Sequence, residues 1–276
     1  MNQQALREIQ PGLPSLAVAS SGARKSETLR LLTWNIHGAL GRNPGFDINR
    51  VVNLIGRWAP DVMALQEIDS RRKLPGGDPF DQLLRELGRH GIAARSITTA
   101  DGHYGQMLIS CCPIRESKIH DISAPEREPR RAIRADIDTP VGPVRVVATH
   151  LGLSIHERRG QAGHLLALAG EPSMTTVVMG DFNDWFFPGS VHSKLAVALP
   201  GRTQFRTFPS HLPLLRLDRI FCRPAWALRA AFCDKSARGI SDHLPVIADI
   251  AILHDERQSA RSEPGGSASR NATDLR

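Results

Sequence analysis

At 276 residues, 41% of them hydrophobic, the chain can bury one large core or two small ones. Its apolar stretches are too short and broken for a membrane span, and residues 1–27 lack an apolar core behind a basic start, which excludes a transmembrane segment and a secretory signal from our expectations. A formal charge of +7 suits an anionic partner: nucleic acid, an anionic phospholipid surface or a small phosphate ester.

In chain order, residues 1–28 mix Gly, Pro, Ser and Gln without a lasting period and read as a flexible arm. Leu29–Asn35 is an apolar strand, followed by a Gly-rich loop over 38–45. Asp47 caps a helix with Ile48, Val51, Val52, Ile55 and Trp58 on its apolar face, and Pro60 ends it. Asp61–Gln66 is a second buried strand, with Glu67 just past its end. A basic loop over 69–79 leads to a helix at Phe80–His90, stopped by Gly91. Ile92–Thr98 and Gln106–Ser110 read as strands, and 111–130 as an irregular connection. Arg131–Asp138 and Val144–Thr149 form a hairpin that His150 closes.

Ile155–Ala169 reads as an amphipathic helix with Leu165, Leu166 and Leu168 inside and Glu157, Arg158 and Arg159 outside. Thr175–Val178 is a buried strand that runs at once into Gly180, Asp181, Phe182, Asn183 and Asp184. Residues 186–216 are loop-rich, with a helix near Ser193–Leu199. Leu217–Cys222, Ala225–Phe232 and Leu244–Leu253 read as strands, and 254–276 as a disordered tail. The four cysteines, Cys111, Cys112, Cys222 and Cys233, show no metal-type spacing and read as reduced thiols of a cytoplasmic protein.

Polar residues recur at strand ends: Asn35, Glu67, His150, Asp181 with Asn183, Asp218, and Asp242 with His243. Each alone suits a turn, a cap or a solvated end. Together they suit phosphoryl chemistry at the strand ends of an α/β protein. A carboxylate can orient a water, and amides and imidazoles can hold phosphoryl oxygens. Strands ending in polar pairs recur in both halves, which suggests two packed sheets; the hairpin and the consecutive C-terminal strands argue against a TIM barrel.

TWNIHG, LQEID, ATHLGLS, GDFNDW, RLDRIF and SDHLPV, spread in this order from residue 33 to 246, resemble the endonuclease/exonuclease/phosphatase superfamily. That group includes deoxyribonuclease I, exonuclease III, sphingomyelinases and inositol polyphosphate 5-phosphatases. The resemblance implies a four-layer α/β sandwich, two facing mixed sheets flanked by helices, over a catalytic domain at 29–253. It implies a magnesium-dependent phosphoesterase, with Mn²⁺ as the other candidate ion. Carried over, Asn35, Glu67 and Asp242 match metal-site positions. His243 matches the histidine on the scissile phosphate, and Asp218 the carboxylate that orients it. Asp181 would align the attacking water, Asn183 would bind the phosphoryl oxygen, and His150 would donate to a non-bridging oxygen. Arg130 or Arg131 would reach the phosphate, the alignment there being open by a residue.

His150 stands where the exonuclease III branch has a Tyr-x-Pro-Asn motif, which favours the deoxyribonuclease and sphingomyelinase branches. THLGLS followed by Glu157, Arg158, Arg159 and Gln161 resembles a bacterial group within the superfamily. Trp185, Phe186 and Phe187 follow the catalytic turn, where they could cover the sandwich edge or press on a nucleic-acid groove or a lipid surface. Between 201 and 230, Arg202, Arg206, Arg216, Arg219, Arg223 and Arg229 face only Asp218, a cluster that suits DNA and anionic lipid equally. The expectation is a monomeric phosphodiesterase, first an endonuclease and alternatively a phospholipid phosphodiesterase or phosphatase. A non-catalytic anion binder on the same fold is the contrasting class, and the completeness of the polar set argues against it.

Overall fold

The computed structural model describes residues 7–9, 28–38, 47–71, 77–185 and 190–252. The tail after 253, most of the Gly-rich loop, Phe186 and Phe187 lie outside these. Among the described residues, thirteen strands form two sheets. The strands are β1 (Arg7–Ile9), β2 (Thr28–Asn35), β3 (Val62–Asp69), β4 (His90–Thr99), β5 (Gly102–Ser110), β6 (Ile114–Asp121), β7 (Arg131–Thr139), β8 (Gly142–His150), β9 (Thr175–Asp181), β10 (Gly201–Arg202), β11 (Asp218–Arg223), β12 (Leu228–Asp234) and β13 (Val246–Ala251). The helices are α1 (Ile48–Trp58), α2 (Pro79–Leu87), α3 (Ile155–Ala169) and α4 (Ser190–Ala198). One sheet has the order β1-β12-β13-β2-β3-β5-β4 and the other β10-β11-β9-β8-β7-β6. Each is mixed, with β2–β3 and β8–β9 parallel.

The sheets face each other, with β2 and β3 packing across onto β9 and β8. Helices α1 and α2 cover the outside of the first sheet and α3 and α4 the second, which completes a four-layer α/β sandwich. The alternation of strand side chains fixes which residue faces where. In β9, Val177 and Met179 join the large core between the sheets, while Val178 joins the smaller core under α3 and α4. β11 repeats the pattern with Ile220 and Cys222 inside and Phe221 outside. β8 does so with Val144, Val146 and Ala148 against Val147. By the same parity His150, Asp181 and Asp218 lie on the inner face at the rim of the sandwich.

Several boundaries differ from expectation. Three residues of the proposed arm pair as edge strand β1, Arg7 opposite Asp234. Helix α2 ends at Leu87 with Gly88 as its cap, and Gly91 lies inside β4. The irregular connection contains strand β6, whose IRESKIHD sequence is mostly exposed and so lacks the apolar alternation that marks a half-buried strand. A 3₁₀ turn at Ala225–Ala227 precedes β12. In α3, Glu157 and Arg158 are buried, whereas Leu166 and Leu168 are half-buried. None of the four cysteines, all among the described residues, is joined in a disulfide.

Candidate active site

Three strand ends of the second sheet and two of the first meet at one rim. Asp181 ends β9 directly opposite Asp218, which starts β11. Next comes Phe182, whose ring turns outward to meet Phe221 edge-on at 5.2 Å in the core under α4. Its burial anchors the turn, so Asp181 and Asn183 stay at the rim. Asp181 Oδ1 accepts the Asn183 N–H at 2.9 Å, and Asn183 adopts a left-handed φ of 50°, which asparagine tolerates. Asn183 donates one amide hydrogen to the Leu151 carbonyl at 2.9 Å.

His243 lies in the loop before β13. Ser241 Oγ accepts its N–H and donates to the Asn35 carbonyl, while Trp34 Nε1 donates to its carbonyl. Phe208 packs on its ring at 4.9 Å. Its Nδ1 meets Asp218 Oδ2 at 2.8 Å, with both side chains buried. Burial opposes protonation of His243, but the Asp218 and Asp181 carboxylates overcome it and raise the pKa to about 10. His243 is therefore an imidazolium at neutral pH, with Nδ1–H held by Asp218 and Nε2–H facing Asp181 Oδ2 at 3.8 Å.

Glu67 sits at a bulge of β3, between Leu65 and Ile68, with φ of 57°. The bulge turns its carboxylate into the rim. Asn35 Nδ2 bridges the sheets, donating to Glu67 Oε1 at 2.9 Å and to Asp181 Oδ2 at 3.0 Å. Burial would raise the Glu67 pKa. Hydrogen bonds from His37 and Asn35 and the nearby His150 bring it down to about 2. His37 Nδ1 lies 3.3 Å from Glu67 Oε2 and 3.5 Å from Asp242 Oδ1, so two carboxylates converge on one point. Carboxylate oxygens converging at a half-open rim fit a hard divalent cation of the Mg²⁺ or Mn²⁺ kind. Asp181, Asp218 and His243 are also close enough to share an ion. Their 2.8 Å hydrogen bond and the raised His243 pKa instead commit that trio to holding a proton.

His150 closes β8. Arg130 Nη1 donates to its Nδ1 at 3.1 Å, which leaves the ring hydrogen on Nε2, pointed at Asp181 Oδ2 (3.7 Å) and Glu67 Oε1 (4.0 Å). Burial and then the Arg130 charge lower its pKa to about 4, so His150 is neutral at pH 7. Of the two candidate arginines, Arg130 turns toward His150, whereas Arg131 reaches away to Asp121 and Ser123. Tyr104, the chain's one tyrosine, lines a small hollow with Arg130, Gln106 and His150. Burial pushes its hydroxyl pKa up, so it stays neutral. Trp185 is 48% exposed beside the catalytic turn.

The sequence pattern of the Endonuclease/Exonuclease/phosphatase family matches residues 32–243. The chain belongs to the endonuclease/exonuclease/phosphatase family. It is 29% identical over 249 residues to the Escherichia coli protein called "Uncharacterized protein YbhP", covering 82% of this chain and 97% of that one. Among solved structures, an endonuclease/exonuclease/phosphatase from Beutenbergia cavernae is similar with TM-score 0.66, at 23% identity over 82% of this chain and 72% of that one. The human Nocturnin catalytic domain with bound sulfate has TM-score 0.64, at 20% identity, 82% and 95% coverage. Danio rerio TDP2 complexed with single-strand DNA product has TM-score 0.58, at 17% identity, 82% and 99% coverage. This is a phosphoesterase fold.

This member of the endonuclease/exonuclease/phosphatase family supports its His150 loop from α3. Gln161 Oε1 accepts the Gly152 N–H at 2.9 Å, and Gln161 Nε2 donates to Glu157 and to the Ile122 carbonyl. Arg158 Nη1 donates to the Gly152 and Leu153 carbonyls, and its Nε lies 4.0 Å from buried Asp184. The Glu157 carboxylate fills the space where a Cβ on Gly152 would stand, so any larger residue at 152 would displace that carboxylate. Asp184 in turn accepts the His192 N–H near the start of α4. Residue-type reasoning placed Glu157 and Arg158 on the solvent face, because charged side chains go there by default. The missed signal was that the helix follows His150 by only five residues. His37 and Tyr104 were missed because neither ends a strand.

Proposed function

We propose that this protein is a divalent-cation-dependent phosphodiesterase, first an endonuclease, that cleaves by in-line attack of water. The observation that carries this reading is the gap around Asp181 Oδ2. Two imidazole N–H groups, from His150 and His243, point at that oxygen from 3.7 and 3.8 Å. Those distances are too long for direct hydrogen bonds, so both donors can turn to a phosphoryl oxygen seated beside Asp181. In this reading Asp181 orients the attacking water. The His243 imidazolium and the neutral His150 Nε2–H donate to phosphoryl oxygens as negative charge develops on them. Asn183 gives its second amide hydrogen to the same group. Asp218 holds His243 in orientation and charge, and Arg130 fixes the His150 tautomer. Glu67 and Asp242, with Asn35, would hold the cation, which supplies charge neutralisation at the phosphoryl oxygen.

The sulfate held by the Nocturnin domain and the single-strand DNA held by TDP2 support phosphate recognition and a nucleic-acid substrate for this chain too. Trp185 and exposed Arg206 stand ready beside the rim for bases and backbone. The test is Mg²⁺-dependent nicking of supercoiled plasmid beside hydrolysis of a chromogenic phosphodiester. His243→Ala and Asp181→Ala should each lower turnover by about 10² to 10⁴ while circular dichroism stays native. EDTA should abolish it. Unchanged turnover in either variant rejects the assignment.

A second reading, phospholipid phosphodiesterase, is favoured by one observation. Leu212 and Leu214 are 59% and 56% exposed on a turn whose Ser210 bonds the Asp242 carbonyl and whose Phe208 packs on His243. Apolar tips flanked by Arg206 and Arg216 suit a bilayer interface. Intact plasmid, together with release of head groups from phosphatidylglycerol vesicles, would select this reading.

A further inference from the structure

His37 has no part in the steps above, yet its ring sits where the two cation-site carboxylates converge. We infer that His37 Nδ1 is a protein ligand of the divalent cation, beside Asn35, Glu67 and Asp242, and that this nitrogen makes the site prefer Mn²⁺ to Mg²⁺. The inference rests on the cation reading given under Proposed function.

The geometry is that of a shared coordination sphere. Nδ1 stands 3.3 Å from Glu67 Oε2 and 3.5 Å from Asp242 Oδ1. Adjacent ligands of an octahedral ion with bonds of about 2.1 Å are separated by about 3 Å. Nδ1 thus stands near that spacing from each carboxylate, while the two carboxylates lie farther from each other, so an ion seated beside Nδ1 would draw them inward. The backbone is bent to put the ring there. His37 has φ of 46°, outside the usual range for its residue type. Asn35 Oδ1 holds that bend by accepting the His37 N–H at 3.0 Å. The next residue closes the turn, as Gly38 N–H donates to the Glu67 carbonyl at 2.8 Å. A Cβ at 38 would stand 2.3 Å from that carbonyl oxygen, so the turn can seat against the Glu67 bulge only with glycine there.

The donor set then sets the preference. Mg²⁺ favours oxygen donors and keeps its waters, whereas imidazole nitrogen is a better partner for later first-row ions than for Mg²⁺. Three oxygens and one imidazole lean toward Mn²⁺. An alternative role for His37 is that of an ion-pair partner that leaves when the cation enters, and the two roles differ in one observable: whether nitrogen is bound to the metal.

The experiment uses the full chain, with Mn²⁺ and Mg²⁺ affinities measured by titration calorimetry and pulsed electron paramagnetic resonance of the Mn²⁺-loaded protein. The substitution is His37→Asn, which tolerates the left-handed backbone and puts an amide oxygen close to where Nδ1 stood. Wild-type protein should show ¹⁴N modulation from a directly bound imidazole, and His37→Asn should lose it. Mn²⁺ affinity should fall about tenfold or more in the variant, and Mg²⁺ affinity should stay within about threefold. Thermal melting of both proteins checks folding. Bound Mn²⁺ without nitrogen modulation in the wild type, or modulation that persists in the variant, overturns the His37 assignment and leaves the cation reading standing. Failure of the wild type to bind either cation overturns both.

Discussion

At the scale of single residues, two histidines in opposite charge states flank Asp181. His243 is charged because Asp218 and Asp181 outweigh burial, and His150 is neutral because burial and Arg130 act together. The sign for His243 follows directly. A pKa raised from 6.5 to about 10 means that the folded protein gains stability from this group below pH 6.5 and loses it as pH climbs through about 10. Removing the partner charge should bring that loss to lower pH. Asp218→Asn keeps a hydrogen-bond acceptor but deletes the charge, so the alkaline limb of kcat/KM, measured with Mg²⁺, should move down by about one to three pH units. Turnover at neutral pH should fall as well. An alkaline limb that does not move would mean that Asp218 orients the ring without charging it. The residue types at this site were legible in the chain because they fall at or close to the ends of strands. Their charge states were not, since these depend on which carboxylates a fold brings within 4 Å.

At the scale of elements, the catalytic loops are held by one helix turn. Arg158 ties the Gly152 and Leu153 carbonyls to α3 and lies beside Asp184, which also accepts the His192 N–H next to the start of α4. Arg158→Ala would leave the Gly152 and Leu153 carbonyls unpaired and Asp184 with Arg219 as its neighbouring cation, a loss of about 2 to 4 kcal/mol. For a domain of this size that is a fall in Tm of about 10 °C. Because His150 sits at one end of this loop and Leu151 receives the Asn183 amide, turnover measured well below the new Tm should fall too. Lost stability with intact turnover would show that α3 supports the fold and not the histidine. The bounds of α3 were readable from its sequence to the residue, but its buried face was not. Its apolar residues Leu165, Leu166 and Leu168 suggested one face, whereas the helix turns Glu157, Arg158 and Gln161 inward to meet backbone groups of a loop. Strand β6 was hidden for the opposite reason, as it is an edge strand with almost nothing to bury. Edge strands with charged side chains resist pairing with other chains, which is the reason such sequences persist.

At the scale of the whole molecule, charge is arranged around a rim whose own carboxylates are few. Burial lowers the His192 pKa, and Arg219, Arg202 and Arg216 lower it further, so this flank of the catalytic turn is strongly positive. The four-layer sandwich was legible through the resemblance carried by TWNIHG, GDFNDW and SDHLPV, whereas the polar strand ends recurring in both halves suggested only two packed sheets. The substrate class is not encoded in that core: in the proposed reading Asp181, His150 and His243 meet the phosphate and the flanking surface meets the rest. Salt dependence reads that surface directly. If Arg206, Arg216 and a third cation each neutralise a backbone phosphate, log K against log salt should have a slope near −2 to −3, the magnitude depending on whether the strand is single or double. Raising NaCl fourfold, from about 50 to 200 mM, would then weaken nucleic-acid binding by roughly 20- to 40-fold. A small chromogenic diester, touching only the catalytic rim, should change far less. Arg206→Ala with Arg216→Ala should make the nucleic-acid slope shallower by about 1.5 to 2 while leaving hydrolysis of the small diester near wild type. A slope that the double substitution leaves unchanged would place the polyanion on another face of the molecule. A flat response in the wild type would turn the assignment away from polymers, toward a substrate no larger than the rim itself.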